Sequence, residues 1–469
     1  MVFASLEFLL LFFPLFLLAY AATPAAGRNL TLLAGSWVFY AWWSPPYLLM
    51  LAGVTALTWA AGLLIGGTRP LRLRRVQLAV LLTVLVGLLA WYKYANILAE
   101  TVNAVRGWAG AMPLVWQAVV LPIGLSFIVL QAISYLVDIH RGHVMPQRSF
   151  VAFAAYKAMF GQLIAGPIIR YDWVRHEIGA KGRRFDIYGV CSGARRFMVG
   201  MAMKVLIADT LAPVADVVFA QARPSLVDAW TGCAAYTLQL FFDFAGYSAM
   251  AIGIGAMLGF RFPENFQHPY LARSIQDFWR RWHLSLSSWI RDYLYIPMGG
   301  NRHGAVRTYV HLLLTMAIAG LWHGGDSWNY LLWGVAHGLA LAMARAFTQA
   351  GGRLPSPVSR AATLLFVMLA WTLFRAHGFD AARTMLAGQF GLQGFAPGDA
   401  LLAVFRPVQA LAFALGLACV VAPAVAPAVQ RRAGPRWTAV AALWPVPAFL
   451  LAFALIASRG AVPFLYFQF

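Results

Sequence analysis

What this sequence has least of is charge. Asp, Glu, Lys and Arg make up 11% of the 469 residues, against 61% for hydrophobic types. Soluble domains run at about 25% charged and about 45–50% apolar, so a water-soluble globular class is excluded. Acidic residues are the scarcer kind, 16 against 36 Lys and Arg, for a formal net charge of +20. In a soluble protein such a surplus would point to nucleic acid. Here the basic residues sit in short runs between apolar stretches: "RPLRLRR" (69–75), "HRGHVMPQR" (140–148) and "RRAGPR" (431–436). No polar module presents them, so no nucleic-acid partner is expected. The pattern is the positive-inside bias of a membrane protein, with contact to anionic headgroups.

Cysteine is almost absent. Cys191, Cys233 and Cys419 have no CxxC or zinc spacing, which leaves them as small apolar fillers and no metal is expected. There is no Ser-His-Asp order, no G-x-S-x-G elbow and no P-loop. A signal peptide is imitated by residues 8–22 followed by "AYAATPAA", but its basic front is missing. Glu7 stands where a positive residue belongs and the first Lys or Arg is Arg28, so residues 1–22 read as a retained first helix.

What the chain has in abundance is apolar runs of spanning length, about 20 residues each. Candidates lie near 3–22, 29–43, 46–66, 76–98, 115–138, 150–168, 187–207, 229–258, 307–322, 327–348, 360–375, 401–422 and 437–457. The expectation is an all-α polytopic membrane protein with roughly 11–13 transmembrane or re-entrant helices. It forms a single membrane-embedded domain over residues 1–469, since no stretch is polar and long enough for a separate globular one. An external N-terminus puts Arg28 and the basic runs at 69–75 and 140–148 all on the cytoplasmic side.

Residues 259–306 break the pattern, being too charged to span and too aromatic for a plain loop. Ser274 to Asp277 has the S-x-x-D form of a helix start. Phe278, Trp279, Trp282, Trp289, Ile290 and Tyr293 then fall largely on one face, with Arg280, Arg281 and Arg291 elsewhere. That spacing predicts an interfacial amphipathic helix over about 275–295, with His283 in its middle.

The polar residues with most to explain lie in "GLWHGGDSWNYLLWGVAHG" (320–338). An ionisable group inside a spanning segment is a functional hypothesis by default. Gly324 and Gly325 end the incoming helix, and Asp326 or Ser327 caps the next. His323 is thereby placed beside a helix N-terminus, where desolvation and the dipole favour neutral imidazole, the form a general base needs. A hydrogen-bonded structural histidine is the plainer alternative. His337 projects near the same face but about 16 Å along the second helix, and packing, or support of residues that touch the substrate, is its expected role. Asp243 in "LQLFFDFAGYS" costs about 2.5–3.5 kcal/mol at mid-bilayer unless paired, with an arginine or histidine as the expected partner. "GIGAMLG" (253–259) is a close-packing pattern in this apolar setting.

Five stretches resemble, in order, the membrane-bound O-acyltransferase family in its bacterial polysaccharide-acetylating branch. They are "PIGLSFIVLQAISYLVD" (122–138), "FGQLIAGPIIRY" (160–171), "FFDFAGYSAMAIGIGAMLGFRFPENFQHPY" (241–270), "QDFWRRWHLSLSSWIRDYLYIPMGGNR" (276–302) and the 320–338 segment. The opening "MVFASLEFLLLFFPLFLLAY" and the ending "FLYFQF" resemble the alginate- and cellulose-acetylating members. Residues 345–460 match only as generic apolar helices. The resemblance places the catalytic core at 120–340. It implies that His323 is the active-site histidine and His283 the second active-site polar residue. It also implies spanning helices in a ring around a central channel. The implied reaction moves an acyl group, from acetyl-CoA or another cytoplasmic thioester, to a hydroxyl reached from the periplasm. His323 would deprotonate that hydroxyl, and His283 would orient the acceptor or stabilise developing charge. Further implications are a periplasmic acetyltransferase or acceptor partner, a bacterial inner-membrane location and no permanently bound cofactor. Two other readings fit the same residues: D-alanyl transfer to teichoic acid, and a polytopic transporter or flippase. Against transport, only one broken helix stands out, at 323–327, where paired half-repeats are the usual sign.

Overall fold

The computed structural model describes residues 1–163, 166–179 and 183–465, with backbone alone for 427–441. The ending "FLYFQF" beyond Leu465, Ile164 and Ala165 of "FGQLIAGPIIRY", and the side chains of "RRAGPR" lie outside the described residues. Every regular element among the described residues is helical. This is an all-α polytopic membrane protein. Among the described residues, eight helices are long and apolar enough to cross a bilayer: Pro45–Gly66, Leu71–Trp108, Ile187–Phe219, Leu226–Met257, Ala305–His323, Asn329–Gln349, Ser356–Arg375 and Pro407–Ala426. Glu7–Ala22 and Pro445–Arg459 are shorter apolar helices.

The apolar runs that fall short of span length do so for local reasons. Within the expected 115–138 run the helix begins only at Leu125, and residues 111–122 carry no regular structure. Pro113 and Pro122 force the residues before them out of the helical region. The 150–168 run becomes two short helices, Phe150–Ala158 and Phe160–Leu163, parted at an extended Met159.

The chain forms two compact units, each drawn from separate stretches. The first comprises Met1–Phe197, Tyr247–Glu264 and Ile456–Pro463. Its core gathers Phe3, Phe8, Phe39, Phe160 and Tyr247 from distant parts of the sequence, with Phe3 stacked on Tyr247 at 4.7 Å. The expected close packing at "GIGAMLG" is realised there. A Cβ on Gly253 would press on the backbone of Gly193 and Phe197, so the two helices meet main chain to main chain.

The second unit comprises Met198–Gly246, Asn265–Leu455 and Phe464–Phe469. Ala305–His323 and Asn329–Gln349 pair in it as an antiparallel hairpin. Gly320 abuts Tyr330 and Gly334, Gly334 abuts Met316, and Gly338 abuts Leu313. This accounts for Gly320, Gly334 and Gly338 of the 320–338 segment: a Cβ at Gly320 or Gly334 would strike a facing carbonyl oxygen. Gly334→Val should therefore force the pair apart and cost on the order of 1–3 kcal/mol of overpacking. Thermal unfolding of the purified protein checks this, and an unchanged midpoint would contradict it.

The interfacial helix expected over 275–295 is not continuous. Ile275–Trp279 and Leu284–Ile290 are separate short helices, and Arg291–Tyr295 is a π turn. The first ends at Trp279, and His283 stands immediately before the second with φ 45° and ψ 56°, a left-handed conformation no continuous helix allows. The helix start itself is as expected, with Ser274 Oγ accepting from Asp277 N at 3.1 Å. Periodicity sees only which side chains share a face. It is blind to one residue that reverses its backbone sign.

Candidate active site

His323 is the last residue of its helix, and Gly324 continues in extended conformation. A Cβ on Gly324 would collide with the Tyr330 ring, so the chain can leave the helix here only as glycine. The imidazole thus sits at the carbonyl end of its own helix. The next helix starts only at Asn329, so the expected placement beside an N-terminus is corrected. Ser327 Oγ accepts from Asn329 N at 3.1 Å, while Asp326 is partly exposed. Asn329 holds the break in place. Its side-chain amide donates to Ala376 O at 2.9 Å and to Gly378 O at 2.8 Å, pinning the next connection against it.

His323 is 5% exposed and enclosed edge-on by Trp322, Trp333 and Phe374, with ring centroids 5.1, 5.2 and 5.4 Å away. Its remaining side opens on a cavity of about 160 Å³. Leu312, the adjacent Thr315 and Met316, Ala319 and His323 lie on successive turns of one helix and form one stripe of that cavity. At 1.5 Å per residue the stripe is about 16 Å long. The opposite wall is Trp279, Leu286, Ser287, Ile290, Arg291 and Tyr295. Arg291 is largely exposed and paired to Asp292 at 2.7 Å. Pockets that enclose whole drug-sized ligands run to about 300–1,000 Å³, so this one suits a small group and the thin chain that carries it.

Beyond the break lies a charged rim. Arg375 donates to Asp216 at 2.7 Å, and His377 lies 4.0 Å from Asp326.

His337 is fully buried eight residues into its helix and accepts from Trp279 Nε1 at 3.2 Å. Its ring lies 4.7 Å from Trp333, which also meets His323. The packing role expected for His337 matches this box of aromatic rings.

His283 is also fully buried, but it does not line the cavity; Leu286 and Ser287 of the following helix do. Its ring meets Phe244 edge-on at 4.6 Å and lies 6.4 Å from Phe266. Burial pushes its pKa down to about 3, so the imidazole is neutral. Its Nδ1 is 3.1 Å from Asn265 Oδ1, and Ser285 Oγ donates to that oxygen at 2.9 Å. Asn265 is a site residue that local spacing could not reveal. It lies 18 positions upstream, brought in by backbone bonds from Leu284 N to Asn265 O and from Gln267 N to Arg281 O, both 2.9 Å.

Asp243 has its partner, and it is neither arginine nor histidine. Lys204 Nζ lies 3.0 Å from Asp243 and 2.6 Å from Asp209, with all three side chains at most 6% exposed. The backbone N–H of Leu465 donates to the other Asp243 oxygen at 2.7 Å. Buried Cys233 donates to Met368 O at 3.2 Å, a filler role like the one expected.

Comparison with known proteins identifies the family. A family model described as "MBOAT, membrane-bound O-acyltransferase family" matches residues 141–379. A probable alginate O-acetylase of Azotobacter vinelandii is 46% identical over 393 residues, covering 83% of this chain and 78% of the relative. A peptidoglycan O-acetyltransferase of Helicobacter pylori is 34% identical over 428 residues, covering 82% and 79%. A teichoic acid D-alanyltransferase of Bacillus subtilis is 26% identical over 273 residues, covering 55% and 67%. A buried histidine at a helix break, an apolar cavity ending on it and matches of this extent lead to one conclusion: the chain belongs to the membrane-bound O-acyltransferase family and is a multi-pass membrane O-acyltransferase.

Proposed function

We propose that this protein carries an acetyl group from a cytoplasmic thioester, of the acetyl-CoA class, to a hydroxyl reached from the periplasm. The product is the O-acetylation of an exopolysaccharide of the alginate type, by a protein of the bacterial inner membrane. The observation that carries the reading is the apolar stripe from Leu312 to His323, a path of acyl dimensions that ends on an imidazole. The extent of identity to the alginate O-acetylase supports the polymer class.

In this reading the acceptor oxygen bonds to the acyl carbon as the carbon–sulfur bond breaks. His323 takes the hydroxyl proton during attack and passes it to the departing thiolate. His283 orients the acceptor. The aromatic enclosure of His323 excludes water, which keeps the thioester from hydrolysis. The charged rim of Asp326, Arg375 and His377 is where a periplasmic acetyltransferase partner would take the group onward.

The test is the O-acetyl ester content of the cell's exopolysaccharide with and without this protein, joined to acetyl transfer by the purified protein in vesicles. Loss of esters together with thioester-dependent transfer is the expected result. Unchanged esters, or turnover only with a D-alanyl thioester, would overturn it in favour of teichoic acid chemistry.

A further inference from the structure

Three groups converge on one oxygen, and their chemistry decides where the proton of His283 sits. Asn265 Oδ1 faces Ser285 N at 3.2 Å, Ser285 Oγ at 2.9 Å and His283 Nδ1 at 3.1 Å. A backbone N–H can only donate, so the amide atom facing Ser285 N must be the oxygen and not the NH₂. With the amide so fixed, an unprotonated Nδ1 would set one lone pair against another. The Ser285 hydroxyl cannot relieve that conflict: it lies 3.4 Å from Nδ1 and has the shorter bond to Asn265. Nδ1 therefore carries the hydrogen. In a neutral imidazole Nε2 is then bare, and Nε2 is buried with no hydrogen-bond partner among the described residues.

We propose that Asn265 is the positioning residue that holds His283 as its Nδ1–H tautomer, so that Nε2 receives the hydrogen bond of the acceptor hydroxyl. This rests on the reading of His283 as a site residue and goes beyond it. A bare Nε2 can orient a hydroxyl by accepting from it, but it cannot donate to a developing oxyanion. Of the two roles that the family resemblance leaves open for His283, only the first survives. The left-handed backbone at His283 serves the same end, lying where the 281–284 backbone is bonded to the irregular 265–267 segment. The geometry differs from that at His337, whose Nδ1 accepts from Trp279 and whose proton must therefore sit on Nε2. The two buried histidines carry opposite tautomers, each set by one neighbour.

The test is nitrogen NMR of the full-length protein in nanodiscs, labelled at histidine, with the His283 signals assigned by their loss in His283→Gln. The wild type should show a protonated Nδ1 and a bare Nε2 at His283. Asn265→Ala should lose that preference and lower kcat roughly 10–10²-fold at unchanged KM for the thioester. That is less than the roughly 10²–10⁴-fold of removing an acid–base group itself. Asn265→Asp keeps an acceptor oxygen and should restore both the tautomer and most of kcat. A wild-type His283 protonated on Nε2 would overturn the proposal even if no variant folds. So would an Asn265→Ala protein with the wild-type tautomer. If the wild type transfers no acyl group yet shows the expected tautomer, the functional reading fails and the tautomer assignment stands.

Discussion

His323→Ala should abolish acyl transfer, by at least the roughly 10²–10⁴-fold that a general acid–base group contributes, while the protein still reaches the membrane. The effect is expected to be this large because the cavity stripe that begins at Leu312 ends on this imidazole. Truncation would also open a void among Trp322, Trp333 and Phe374. The thermal midpoint and the rate must therefore be measured on the same preparation. His337→Ala is the informative comparison. It breaks the bond from Trp279 and loosens the face of Trp333 that backs His323. Its rate loss should be partial and should follow its loss of stability. A folded His323→Ala protein with near-normal transfer would refute the mechanism. Equal losses at His323 and His337 in equally stable proteins would move His337 into the chemistry.

Lys204→Met should be the most damaging single change outside the site. It leaves Asp209 and Asp243 buried without the ammonium they share, and breaking a buried ion pair costs about 3–5 kcal/mol. Asp243→Asn is the contrasting variant. It preserves the Lys204–Asp209 pair and an oxygen for the N–H of Leu465, so it should cost far less. Membrane yield and the thermal midpoint of the purified protein measure both. Equal midpoints for the two variants would show that the shared cation does not hold this cluster together.

The sequence by itself determined the solvent. With 61% hydrophobic and 11% charged residues, nothing but a membrane could accommodate these helices, and backbone polar groups in lipid must be satisfied within them. It also determined which residue to examine first, because a histidine followed by two glycines after a long apolar run is conspicuous on local grounds. The start of the 275–279 helix was legible for the same reason: its signal is four residues long. The five quoted segments likewise carried the family, since their order along the chain is a property of the sequence.

Only the tertiary structure decided what those residues touch. The lengths of the shorter helices depended on where prolines and non-helical residues fell, as at Pro122 and Met159. His283 looked like the middle of an amphipathic helix because side-chain periodicity continues across its left-handed turn. Lys204 is 39 positions from Asp243, and Asn265 is 18 from His283. Neither separation matches a turn of helix or a pair of strands, so no local rule could join them. A buried charge or a bare imidazole nitrogen is a demand for a partner, and that demand is visible in the sequence. Which partner answers it is decided by packing, because only folding brings distant groups within hydrogen-bond reach and removes the water that would otherwise serve.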